Sequence, residues 1–150
     1  MSLKLILVAG LFGLSAASAL AGDAAITIKD AYARSGAKSG AAFFTIMNSG
    51  DQDMRLVGAA SDGAKRVELH SHKEDDNGVM KMREIEGGIV IPAGEMHRLK
   101  RGGDHVMFMG LEAPFEQGGT VSVTLKFEHG DEMTLDIPVD NDRKEKHSGH

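Results

Sequence analysis

The chain has 150 residues with 41% hydrophobic side chains and no cysteine; 17 basic and 22 acidic residues leave a net charge of −5. Without cysteine there is neither a disulfide scaffold nor a thiolate nucleophile, so a packed core must hold the fold. No cluster of Lys and Arg with interleaved aromatics is present, which argues against a nucleic-acid partner.

Lys4 is the only charge before an apolar run from Leu5 to Leu14, and small residues follow from Ala16 to Ala21. A positive start, a short apolar core and an A-x-A site together predict a secretory signal peptide over residues 1–21, cut after Ala21 or, as the alternative, after Ala19. The run is short for a membrane span, so no span is expected in the mature protein. That leaves roughly 129 residues, enough for one domain with an ordinary core.

Beyond the leader the chain alternates short apolar–polar runs with glycine-rich turns. The expected strands are 25–28, 41–47, 54–59, 65–72, 79–85, 88–91, 95–99, 105–111, 120–128 and 132–139. Ten short strands, no convincing helix and 19 glycines predict an all-β sandwich or barrel over residues 22–139. Residues 140–150 are polar and charged, and read as a mobile tail carrying His147 and His150.

The chemistry lies in three strands. Side chains at i and i+2 share a face, so His70 and His72 point one way while Val67 and Leu69 point the other. Met80 and Met82 share a face, as do His105, Met107 and Met109, with Val106 and Phe108 opposed to them. The loop Lys73–Gly78 joins the first two strands, and its Asn77-Gly78 step favours reversal. A hairpin symmetric about Asp76 would set His70 opposite Met82 and His72 opposite Met80, with Cβ atoms about 4.5–5.5 Å apart. The third strand would then complete a site with His105 and Met107.

A core face does not normally hold three histidines, because burying unpaired imidazoles is costly. A solvated face does not normally collect four methionines. Two imidazoles with two thioethers select Cu(I), since thioether sulfur is a soft neutral donor, whereas Zn(II) prefers thiolate, imidazole or carboxylate. Methionine also keeps its metal in an oxidising compartment, where a cysteine pair can be lost to a disulfide; its weakness is sulfoxide formation. No His-Glu-x-x-His, Gly-x-Ser-x-Gly or cysteine nucleophile points to an enzyme, and a blue-copper site needs a cysteine thiolate. The competing readings are copper storage or detoxification, and a β-sandwich interaction module without metal.

These residues resemble the PCuAC-type periplasmic copper chaperones. The resemblance covers nearly the whole mature chain, through Asp30–Arg34, Met47–Asp51, Val67–His70, Gly78–Arg83, Ile91–Gly94 and Gly102–Leu111. The family's motif of a histidine, a distant methionine and a later His-x-Met carries over to His70, Met82, His105 and Met107. The gaps of 11 and 22 residues are each one longer than usual, which leaves His72 and Met80 as alternative donors. The resemblance implies a cupredoxin-like Greek-key β-sandwich, Cu(I) near the surface and no enzymatic activity. It also implies delivery toward the dicopper A centre of cytochrome c oxidase alongside a thioredoxin-like copper assembly protein. Some members bind Cu(II) through a C-terminal extension; here His147 and His150, with His129 and Met133 nearby, are the candidates for such a secondary site.

Overall fold

A computed structural model describes residues 25–143. Ten strands follow in order: β1 (Ile26–Ser35), β2 (Ser39–Asn48), β3 (Met54–Ala60), β4 (Ala64–Glu74), β5 (Met80–Glu84), β6 (Ile89–Ile91), β7 (Met96–Arg98), β8 (His105–Leu111), β9 (Thr120–Phe127) and β10 (Glu132–Pro138). Every expected strand is present. The ends differ where local chemistry interrupts the alternation. β1 runs on to Ser35 through an irregularity between Lys29 and Tyr32, with Asp30 at φ 54°; an extra residue in a bulge lets a strand continue past a break in its pattern. β9 stops one residue early, because Glu128–Gly130 forms a 3-10 turn in which His129 has φ 71°.

The strands form two antiparallel sheets packed face to face as the expected β-sandwich. One has the order β1-β2-β8-β4-β5, and β7 pairs with the far half of β2; the other has the order β10-β9-β3-β6. β2 serves two neighbours on one side, β8 through Ser39–Ala42 and β7 through Thr45–Met47. Between the sheets lie Phe44, Ile46, Leu56, Ile91, Leu99, Val106, Phe108, Val123, Leu125 and Ile137, all fully buried. Phe108 meets Phe115 edge-on, with centroids 5.2 Å apart. Because Val106 and Phe108 fill the core from β8, the intervening His105, Met107 and Met109 must face outward.

The polar segment after β10 begins tied to the domain. Asp140 N–H donates to the Ala33 carbonyl, Asn141 Nδ2 donates to the Phe115 carbonyl, and Asn141 Oδ1 accepts from Ser35 N–H. The Arg143 guanidinium lies 4.3 Å from the centre of the Tyr32 ring. Alternation identifies strands but not such caps, so the attachment of residues 140–143 goes beyond the expected boundary at Val139. The expected leader, His147 and His150 lie outside the described residues. No helix among the described residues is long and apolar enough to cross a membrane.

Candidate metal centre

The site grows from the outer face of the larger sheet, where β8, β4 and β5 lie side by side. Strand periodicity places His70 and His72 of β4, Met82 of β5, and His105 and Met107 of β8 on this face. His70 stands directly opposite His105, and Met107 is opposite Glu68. The His70 and His105 ring centres are 6.0 Å apart, and those of His72 and His105 are 5.4 Å apart. Phe43 of β2 closes the other side of His105 at 6.0 Å, and Tyr32 packs on Phe43 at 5.2 Å. This cover explains why His105 is only 2% exposed despite facing outward.

The hairpin register differs from the expected one by two residues. His72, not His70, is opposite Met82; Met80 is opposite Glu74, and His70 is opposite Glu84. The cause is the turn. Asp75 N–H donates to the Val79 carbonyl and Gly78 N–H to the Asp75 carbonyl, which makes Asp76-Asn77-Gly78 a three-residue loop centred on Asn77. Gly78 supplies the left-handed residue at φ 78° that such a loop ends on. The Asp75 carboxylate accepts from Asn77 N–H at 2.9 Å and Val79 N–H at 3.0 Å, and pairs with Lys81 at 3.2 Å. Hydrogen bonds from those two amides, followed by the lysine, hold its carboxyl below the usual range. A shift of two residues keeps every side chain on its face but changes its neighbours. Met82 therefore stays beside the histidines, while Met80 sits one pair farther out and is 56% exposed.

The imidazoles are held in defined states. Glu68 Oε2 lies 2.8 Å from His70 Nε2, and Arg66 pairs with Oε1 at 2.7 Å. An ionised carboxylate only accepts, so His70 carries its proton on Nε2 and keeps the Nδ1 lone pair free. His70 Nδ1 and His72 Nδ1 are both buried with no protein partner. His105 Nδ1 lies 3.1 Å from the Gly103 carbonyl, which can only accept, so the lone pair of His105 is on Nε2. Each contact is the outer-shell arrangement that orients a ligating imidazole. Burial pushes the His105 pKa down against the Gly103 hydrogen bond, and the neighbouring His72 and His70 push it the same way as burial.

Glu68 and Glu84 face each other beside His70, and one donor atom from each of the three lies within 4.8 Å of the others. The hydrogen bond from His70 holds the Glu68 carboxyl below its usual range, against the effect of burial. Glu84 is pushed up because it hydrogen-bonds to Glu68 and is repelled by its charge. Sequence reasoning passed over Glu68, although Glu68-x-His70-x-His72 places it on the same face. Phe43 and Tyr32 left no such signal, since their approach to His105 depends on how β1 and β2 pair with β8. His129 and Met133 belong to the other sheet's end of the chain, at the turn after β9 and in β10.

Residues 26–139 match the family model described as "Putative lipoprotein LpqE-like". The chain is 41% identical over 99 residues to a putative lipoprotein of Leifsonia xyli subsp. xyli, covering 66% of this chain and 59% of that protein. It spans less than two thirds of the length of the curated relatives it matches. The solution structure of Cu(I)-bound DR1885 from Deinococcus radiodurans is 34% identical, covers 81% of this chain and 84% of its own, and superposes with a TM-score of 0.59. The copper-bound PCuAC domain from PmoF2, at 24% identity and a TM-score of 0.62, covers 77% of this chain and 92% of its own and shares the fold. With a family-model match that spans the whole sandwich, the chain belongs to the LpqE-like family, and it shares the fold of PCuAC domains.

Proposed function

We propose that this protein is an extracytoplasmic copper carrier that holds Cu(I) through His70, Met82, His105 and Met107 and releases it by ligand exchange. The observation that carries the reading is the set of free imidazole lone pairs on a face that also bears Met82 and Met107. Soft thioethers beside neutral imidazoles suit Cu(I). The Cu(I)-bound structure of a relative 34% identical to this chain supports the same metal.

Exposure suggests the order of release. His105 is buried under Phe43, whereas Met82 lies on an edge strand and is 43% exposed. A thiolate from a partner would displace Met82 first and the histidines afterwards, with copper remaining Cu(I). Neutral donors leave the ion its single charge, so no thiolate has to be expelled from the donor. The family resemblance makes the dicopper A centre of cytochrome c oxidase, or a thioredoxin-like assembly protein, the proposed recipient. The signal-like leader and the lipoprotein character of the family favour action outside the cytoplasm.

The test is an anaerobic titration of residues 22–150 with Cu(I) against a chromogenic chelator. One tight equivalent is expected, weakened at least about tenfold in the Met82→Leu, Met107→Leu variant. Equal affinity in the two proteins would overturn the methionine site.

A further inference from the structure

We propose that β5 is a docking edge, which takes an extended strand of a partner protein in which acidic and apolar residues alternate. β5 ends the larger sheet, with no strand beyond it among the described residues. All five of its residues are exposed. An edge of this kind presents unpaired amides and carbonyls that a second chain can extend. The other edges are poorer templates. β1 is interrupted at Asp30 and bridged at Ala33 to Val139, β6 has three residues, and β10 ends at Pro138. β4 and β5 pair without a register shift from His70–Glu84 to Glu74–Met80, so the β5 edge is regular. Among the described residues, three of the six exposed large hydrophobic side chains, Val79, Met80 and Met82, lie together here. A clustered apolar surface beside unpaired backbone marks an interaction site.

The hydrogen bonds of the hairpin fix which groups are available. The Val79 carbonyl accepts from Asp75 N–H, and Ile85 N–H donates to the Leu69 carbonyl. Bonding toward one neighbour alternates along an antiparallel strand, so residues 79, 81, 83 and 85 bond to β4. The amides and carbonyls of Met80, Met82 and Glu84 therefore point to the free edge. Their side chains share the face of His70 and His72, whereas Lys81 and Arg83 lie on the opposite face. An incoming residue bonded to Met82 sets its side chain beside the thioether, and its two neighbours fall beside Lys81 and Arg83. On that second face Lys73 is opposite Lys81, and Asp75, 3.2 Å from Lys81, offsets one of these charges. Carboxylates complement it. Glu74 and Glu84 disfavour a carboxylate on the histidine face, so an apolar residue flanked by acidic ones fits the edge. A second copy of β5 does not fit. A two-fold axis at Met82 opposes Lys81 to Arg83, and one at Lys81 or Arg83 opposes that residue to itself. Docking itself needs no metal, whereas its meeting with copper release at Met82 rests on the proposed function.

The experiment uses metal-free residues 22–150 and a fluorescent peptide in which glutamate and valine alternate, followed by anisotropy and by amide exchange. Saturable binding is expected, with slowed exchange at Met82 and Glu84 and little change at Lys81, whose amide is already bonded. A peptide of alternating lysine and valine should bind at least about tenfold more weakly. Arg83→Glu should reverse that preference while leaving Cu(I) affinity within about threefold. The milder Lys81→Gln with Arg83→Gln should abolish the preference. No saturable binding, equal binding of the two peptides, or binding without slowed exchange at Met82 and Glu84 would overturn the proposal. Slowed exchange at those amides that grows with protein concentration, without peptide, would assign the edge to a second copy and overturn it too. Peptide binding that persists while the Met82→Leu, Met107→Leu variant keeps its Cu(I) affinity would sink the copper reading alone.

Discussion

His105 shows how one residue's surroundings bias its protonation. Its burial disfavours the imidazolium, and two neighbouring histidines add to that effect. The folded pKa therefore lies below the unfolded value of about 6.5. In that window the unfolded chain binds more protons than the folded one, so stability rises with pH. The contribution is fully present above the unfolded pKa and is lost as pH falls toward the folded one. Urea unfolding of the metal-free protein between pH 7.5 and 5 is expected to show this slope, and His105→Gln to flatten it. An identical slope in the variant would assign it to other groups. Under the proposed function the same lowering would favour metal binding, because a ligating imidazole must be neutral.

Among the elements, the β4–β5 hairpin decides which donors meet. Its loop is a small device of Asp75, Asn77 and Gly78, and the Asp75 carboxylate ties three groups together. Since hydrogen bonds lower its pKa, this support persists above the ordinary carboxyl range and is lost as pH falls through the lowered value, below about 3.8. Asp75→Ala should raise amide exchange at Asn77 and Val79 about tenfold while leaving β8 unchanged. Exchange that stays the same would mean that the backbone turn holds the register unaided. The exposed Val79, Met80 and Met82 lie just beyond this loop, so any loosening reaches the pairing of Met82 with His72 first.

Across the whole molecule, the sandwich closes at its C-terminal side. Ala33 forms a parallel bridge with Val139, and Asp140 and Asn141 continue the attachment. Arg143 covers Tyr32, which packs on Phe43, which covers His105. A chain ending at Val139 loses at least three hydrogen bonds that one ending at Arg143 keeps. It should be less stable by about 2–4 kcal/mol, measured by chemical denaturation. Equal stability would return the domain boundary to Val139.

The sequence alone determined the sandwich class, the ten strands and the sides on which His70, His72, Met82, His105 and Met107 lie. These follow from alternation and turn residues, which are local and survive small errors in strand ends. Tertiary structure decided which donors are neighbours. The three-residue loop set Met82 against His72, the pairing of β4 with β8 set His70 against His105, and β2 laid Phe43 over the site. Period-two patterning is blind to a shift of two residues, because such a shift preserves each face. Contacts between strands distant in the chain carry no local signal at all, and the tie of Asn141 to Phe115 and Ser35 is of that kind.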